Sequence, residues 1–226
     1  MSKKKSSPYM TSGEKAAGTV LLGLYLVVLP FASAPIFDLL EKLLDADISQ
    51  SLRAAICVWG CAVAALLIFC RFLGRTAGSF VDNLGISCQT ILVGLVGVYG
   101  LNELVWRLGR DLPGAADLND RFLSGRIPGG SSAIMAVLLI PFVEEVLFRG
   151  LICGNLKSKS RPVAYGLSCG LFALLHLWAG GSVGGLLPAA QYLVPAAVLT
   201  WAYDRSGSVW TSFGIHALFN ALLRFL

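Results

Sequence analysis

The chain of 226 residues is 56% hydrophobic and 14% charged, with a formal net charge of +5, whereas soluble domains carry about 25% charged residues. This composition, with a mean hydropathy of +0.72, excludes an ordinary soluble domain. The basic residues are scattered between apolar stretches, so the positive charge reads as a topology signal for membrane helices and not as a nucleic-acid-binding face.

Residues 1–15, with Lys3, Lys4, Lys5 and Lys15, read as a basic cytoplasmic tail. Six runs follow that contain no Asp, Glu, Lys or Arg: 16–37, 54–70, 83–102, 127–143, 162–203 and 206–223. About 20 apolar residues cross the hydrocarbon core, and the run 162–203 is long enough for two crossings. Its middle, from Gly180 to Gly185, supplies a glycine-rich turn. The expected fold is therefore an all-α polytopic membrane bundle of about seven transmembrane helices. They are placed near 16–38, 54–73, 85–106, 131–156, 162–180, 186–203 and 207–226. Ala32-Ser33-Ala34 resembles a leader-cleavage site, but Pro35 follows at once and the apolar run continues, so the first helix is read as retained.

Between the third and fourth spans, Arg107 to Gly130 reads as an exposed loop with one short interfacial helix. The chain thus divides into the tail (1–15), an N-terminal three-helix membrane region (16–130) and a membrane core (131–226). Lys and Arg fall ten against seven when the N-terminus is placed in the cytoplasm. Trp106, Trp178, Trp201 and Trp210 fall near span ends, as an interfacial belt requires. The six cysteines lie in or beside apolar segments without zinc-ribbon spacing, and read as small buried hydrophobes.

Ionisable groups inside a bilayer are costly and mark function. The fourth span holds Glu144, Glu145 and Arg149, and the chain's two histidines, His176 and His216, both lie in apolar spans. Residues four apart share a helix face. Glu145 and Arg149 are thus spaced for an ion pair, and Glu144, about 100° around the helix, is left as the free carboxylate. His216 and Asn220 share a face, as do Phe172 and His176. Measured from the span ends, Glu144, His176, His216 and Asn220 lie roughly 15–22 Å deep at 1.5 Å per residue. One buried cluster from three helices is expected. Glu103 with Arg107 reads as a snorkelling pair at a span end. Gly166 and Gly170 read as a site of close helix packing.

These residues resemble the CPBP family of intramembrane proteases, also called the CAAX-protease and bacteriocin-processing or Abi family. Its EExxxR, FxxxH and HxxxN motifs read here as Glu144-Glu145-Val146-Leu147-Phe148-Arg149, Phe172 to His176, and His216 to Asn220. They occur in family order on separate helices, within residues 131–226. The resemblance implies a glutamate-type intramembrane endopeptidase, similar to type II CAAX prenyl endopeptidases, in a prokaryotic plasma membrane. Its substrate would be a membrane-associated protein or peptide, cut near its C-terminus, of the prenylated CAAX or sorting-signal type. It also implies that Glu144 and His176 activate water and that His216 and Asn220 hold the oxyanion, with Glu145, Arg149 and Phe172 in support. That agrees with what amide hydrolysis requires: a base, a water and donors for developing negative charge.

A metal-free mechanism without cofactor is expected, because HExxH is absent. The alternative is a zinc site on Glu144, His176 and His216. Other classes remain beside the peptidase: a non-catalytic bacteriocin-immunity or scaffold protein, and a proton-coupled transporter. The transporter would call for repeat symmetry between halves, which the sequence lacks. The lipid bilayer is an expected partner and nucleic acid is not.

Overall fold

A computed structural model describes residues 9–111, 132–179 and 186–225. The glycine-rich turn at 180–185 and most of the loop expected between spans three and four lie outside these residues. Among the described residues there is no strand, and seven continuous helices follow one another. They are α1 (Ser12–Leu44), α2 (Gln50–Asp82), α3 (Leu84–Gly109), α4 (132–156), α5 (Arg161–Ala179), α6 (Leu186–Ser206) and α7 (Val209–Phe225). The fold is an all-α membrane helical bundle, with helices close to the expected boundaries. Three of them, α1 to α3, are long and apolar enough to cross a membrane by length and composition.

The chain enters α1 earlier than the tail expected over 1–15. Thr11 caps the helix and Glu14 closes a capping box: Thr11 Oγ1 accepts from the Glu14 N–H at 3.2 Å, and Glu14 Oε2 accepts from the Thr11 N–H at 2.7 Å. The same carboxylate pairs with Arg75 at 2.9 Å and accepts the Phe72 N–H at 2.9 Å. A residue that looks like part of a polar tail is therefore buried, and it locks the start of α1 onto α2.

Close approach between helices uses glycines other than those expected. A Cβ on Gly18 would lie 2.5 Å from the Phe69 ring, and one on Gly150 would lie 2.8 Å from the Phe72 ring and 3.0 Å from Met10. These two positions let α1, α2 and α4 meet around Phe69 and Phe72, both of which are buried. Gly166 and Gly170, by contrast, face open space. The opposite face of α5 makes the contact with α4: Ala164 and Ser168 are fully buried, and Ser168 Oγ donates to the Phe148 carbonyl at 2.9 Å.

The N-terminal helices do not form a separate layer. α3 packs along α6 and α7 and barely touches α2, while α2 packs on α1, α4 and α7. Arg205 at the end of α6 donates to Thr90 and Gln89 of α3, each at 3.2 Å. The regions drawn at residue 130 are thus interleaved in space.

Wide turns with i→i+5 hydrogen bonds interrupt α1 at Leu24–Val28 and α4 at Met135–Leu139 and Glu145–Cys153. The first two end two residues before Pro30 and Pro141. A proline ring collides with the carbonyl four residues back in a regular helix, and a widened turn just before it relieves that clash. Such turns concentrate at functional sites, and here they carry Tyr25, Glu145 and Arg149.

Candidate active site

Three helices bring the ionisable residues of the apolar spans together. Glu144 and Glu145, from α4, are 2% and 0% exposed, and Arg149 one wide turn later is 0% exposed. His176 comes from α5 and His216 from α7. His176 Nε2 lies 3.7 Å from Glu144 Oε1, and His216 Nε2 lies 3.8 Å from Glu144 Oε2. The two imidazoles therefore approach different oxygens of one carboxylate.

The other nitrogen of each ring is committed. His176 Nδ1 is 2.9 Å from the Phe172 carbonyl, its own residue i−4. A carbonyl only accepts, so Nδ1 carries the hydrogen and Nε2 presents a lone pair when the ring is neutral. His216 Nδ1 is 2.9 Å from Glu145 Oε1, which fixes the same tautomer by the same logic. Glu145 Oε1 also accepts from Arg149 Nη1 at 2.9 Å, and Arg149 Nη2 donates to the Ala196 carbonyl of α6 at 3.0 Å. A relay thus runs from the α6 backbone through Arg149 and Glu145 to His216, and ends at the open oxygen of Glu144.

Phe172 gives the FxxxH spacing a physical meaning. Its ring stacks on His176 at 4.3 Å and lies 4.6 Å from the Arg149 guanidinium carbon. It meets Phe148 edge-on at 5.4 Å and His216 at 5.8 Å. One aromatic side chain therefore holds both imidazoles and the cation in place. Tyr192 of α6 lies against the other side of the site, 5.2 Å from the His176 ring. His176 is the open member of the cluster, at 28% exposed against 8% for His216.

Two expectations from spacing need correction. Glu144 is not a free carboxylate, because the Tyr25 hydroxyl of α1 donates to its Oε1 at 3.0 Å. His216 and Asn220 share a helix face but do not share a target. Asn220 Nδ2 donates at 2.9 Å to the Ala136 carbonyl, in the first wide turn of α4, and among the described residues no hydrogen bond joins it to Glu144 or either histidine. The helix rule also missed the contact of Glu145 with His216, since i,i+4 arithmetic sees only one helix at a time. Tyr25 left no signal beyond being a tyrosine within an apolar run, five residues before a proline.

The geometry can be set beside known proteins. Residues 130–222 match the family model described as type II CAAX prenyl endopeptidase Rce1-like. A stretch of 96 residues is 32% identical to the UPF0177 protein YxdF of Lactococcus lactis subsp. lactis (strain IL1403), covering 42% of this chain. The match covers 50% of that relative's length. No solved structure matches the chain. With its EExxxR, FxxxH and HxxxN motifs on three converging helices, the segment 130–222 of this membrane protein is similar to the Rce1-like type II CAAX prenyl endopeptidases.

Proposed function

We propose that the chain is an intramembrane endopeptidase that cleaves a membrane-associated protein near its C-terminus, with a prenylated CAAX-type terminus as the substrate class. The observation that carries this reading is the meeting of Glu144, His176 and His216, from three helices, around one buried carboxylate. Separations of 3.7 and 3.8 Å exceed a direct hydrogen bond, and contacts of that length are commonly bridged by water. A water held there would give one proton to Glu144 while the His176 Nε2 lone pair orients it, and its oxygen would attack the scissile carbonyl.

The tetrahedral intermediate needs a donor. His216 supplies one only when its ring carries both protons, because Nδ1–H is already given to Glu145. Glu145 provides the negative charge opposite that imidazolium, and Arg149 holds Glu145 in position. Asn220, tied to Ala136, is assigned the task of fixing α7, and hence His216, against α4. No metal or cofactor takes part in this scheme. The basic ends of α2, α4 and α6 (Arg71 and Arg75, Lys157, and Arg205) face the cytoplasm together with the N-terminus.

The test is mass spectrometry of membrane proteins from cells carrying the wild-type chain or Glu144→Gln. The expected result is a protein whose C-terminus is shortened only by the wild type. Identical termini in both would overturn the reading and favour a scaffold or immunity role, which does not need the carboxylate's charge.

A further inference from the structure

The Glu144 carboxylate is held asymmetrically. Oε1 accepts the Tyr25 hydroxyl at 3.0 Å. Oε2 is buried and accepts no hydrogen bond among the described residues. His176 cannot take over as the donor to Oε1, because its hydrogen sits on Nδ1 and is spent on the Phe172 carbonyl. The last torsion of a glutamate is broad and roughly two-fold, so an unanchored carboxylate would swing between orientations. The tyrosine itself is well fixed. Its ring packs against the buried clusters that contain Val143, Leu147, Phe148 and Phe172, and it sits in the wide turn Leu24–Val28.

Resting on the peptidase reading above, we propose that Tyr25, outside the segment that carries the family match, is a positioning residue for the reaction: its hydroxyl anchors Oε1 of Glu144 and thereby fixes the carboxylate in one orientation, with Oε1 toward His176 and Oε2 toward His216. The first helix is then part of the active site. A base held in one orientation is already in the geometry the proton transfer needs. The role requires the hydroxyl and not merely the ring, which separates it from packing.

The experiment uses the full chain in detergent micelles or proteoliposomes, with an internally quenched, farnesylated peptide ending in a CAAX sequence as the probe. Tyr25→Phe keeps the ring and removes the donor. The expected result is a kcat lowered roughly ten- to hundredfold with KM within about threefold of wild type. Difference infrared spectra, recorded for each protein against the same protein carrying Glu144→Gln, should show the Glu144 carboxylate band displaced by Tyr25→Phe. Where Tyr25→Phe gives too little folded protein, 3-fluorotyrosine installed at position 25 keeps the shape, strengthens the donor and must displace the same band.

Wild-type kcat in Tyr25→Phe with an unmoved band would overturn the proposal. If Glu144→Gln is inactive in the same assay, the peptidase reading survives that outcome. If Glu144→Gln cleaves as well as wild type, the peptidase reading falls and takes the proposal with it.

Discussion

Helices α1–α3 and α4–α7 place their polar groups in opposite ways. In α4, α5 and α7 the costly residues lie deep and are joined to one another: Glu144, Glu145, Arg149, His176 and His216 form one connected cluster. In α1–α3 the charges sit at helix ends. Glu14 pairs with Arg75 at one end of α1, and Arg53 pairs with Asp38 and Glu41 at the other. Between those ends α1 presents Val20, Leu24, Val27 and Phe31 outward, as a lipid-facing helix does. A buried ionisable group survives in a bilayer only when partners satisfy it, so the first arrangement is the candidate site and the second frames it. Tyr25 is the exception, a polar group of the scaffold that reaches into the site.

The sharpest way to break this contrast is Glu144→Gln. It is isosteric, keeps an acceptor for the Tyr25 hydroxyl, and removes the proposed base. The expected outcome is loss of cleavage by at least about 10²–10⁴-fold, with thermal stability in detergent close to wild type. A comparable loss from charge removal at Arg53, far from the cluster, would erase the distinction between the two regions.

Next in size is Arg149→Ala. Breaking a buried pair from one side costs about 3–5 kcal/mol in soluble proteins, and here it strands Glu145. The double variant Glu145→Gln with Arg149→Met should recover stability over Arg149→Ala, since no charge is left unmatched. The structure adds a second half to this prediction. Because Glu145 also holds His216 Nδ1, the double variant should regain folded yield without regaining turnover. Thermal melting beside specific activity reads both; recovery of turnover would show that Glu145 is only a strut.

How much of this was legible in the sequence follows from what kind of interaction each feature uses. The seven helices were readable because hydrocarbon excludes charge and the charge-free runs mark their lengths. The Glu145–Arg149 pair was readable because both partners lie on one helix. Tyr25 and Glu144 are 119 residues apart, and nothing local marks a tyrosine in an apolar run as a donor. The glycines show the same limit. The Gly166-xxx-Gly170 spacing declares a small-residue face but not what lies opposite, and filled faces occur instead at glycines such as Gly18, Gly94, Gly150 and Gly154. The wide turns that carry Tyr25 and Glu145 change which residues share a face, which a regular 3.6-residue wheel does not represent.

That lesson gives a smaller, paired prediction. Gly18→Val would drive a side chain into Phe69, and overpacking of this kind costs about 1–3 kcal/mol. It should also lower kcat by loosening α1 and with it Tyr25. Gly170→Val meets open space and should leave both melting temperature and turnover near wild type. Equal effects from the two would mean that α1 is not docked through Gly18. Asn220→Ala ranks below these on stability, at about 1 kcal/mol for the hydrogen bond to Ala136, with an activity loss far short of Glu144→Gln. A 10²–10³-fold loss of kcat at unchanged stability would instead make Asn220 an oxyanion donor.

The smallest expected effect is that of a chelator. Both imidazoles offer Nε2 and commit Nδ1 to an oxygen, an arrangement that also suits metal-binding histidines. The proposed scheme holds water without an ion: the imidazoles meet different oxygens of Glu144, one of which already accepts the Tyr25 hydroxyl. Dialysis against EDTA should therefore leave cleavage of the farnesylated peptide within about twofold of the untreated enzyme, as expected when a carboxylate base and not a metal activates the water. Loss of activity that one equivalent of zinc restores would move Glu144 from base to ligand. Tyr25→Phe would then change zinc affinity, measurable by competition with a chromogenic chelator, in place of kcat.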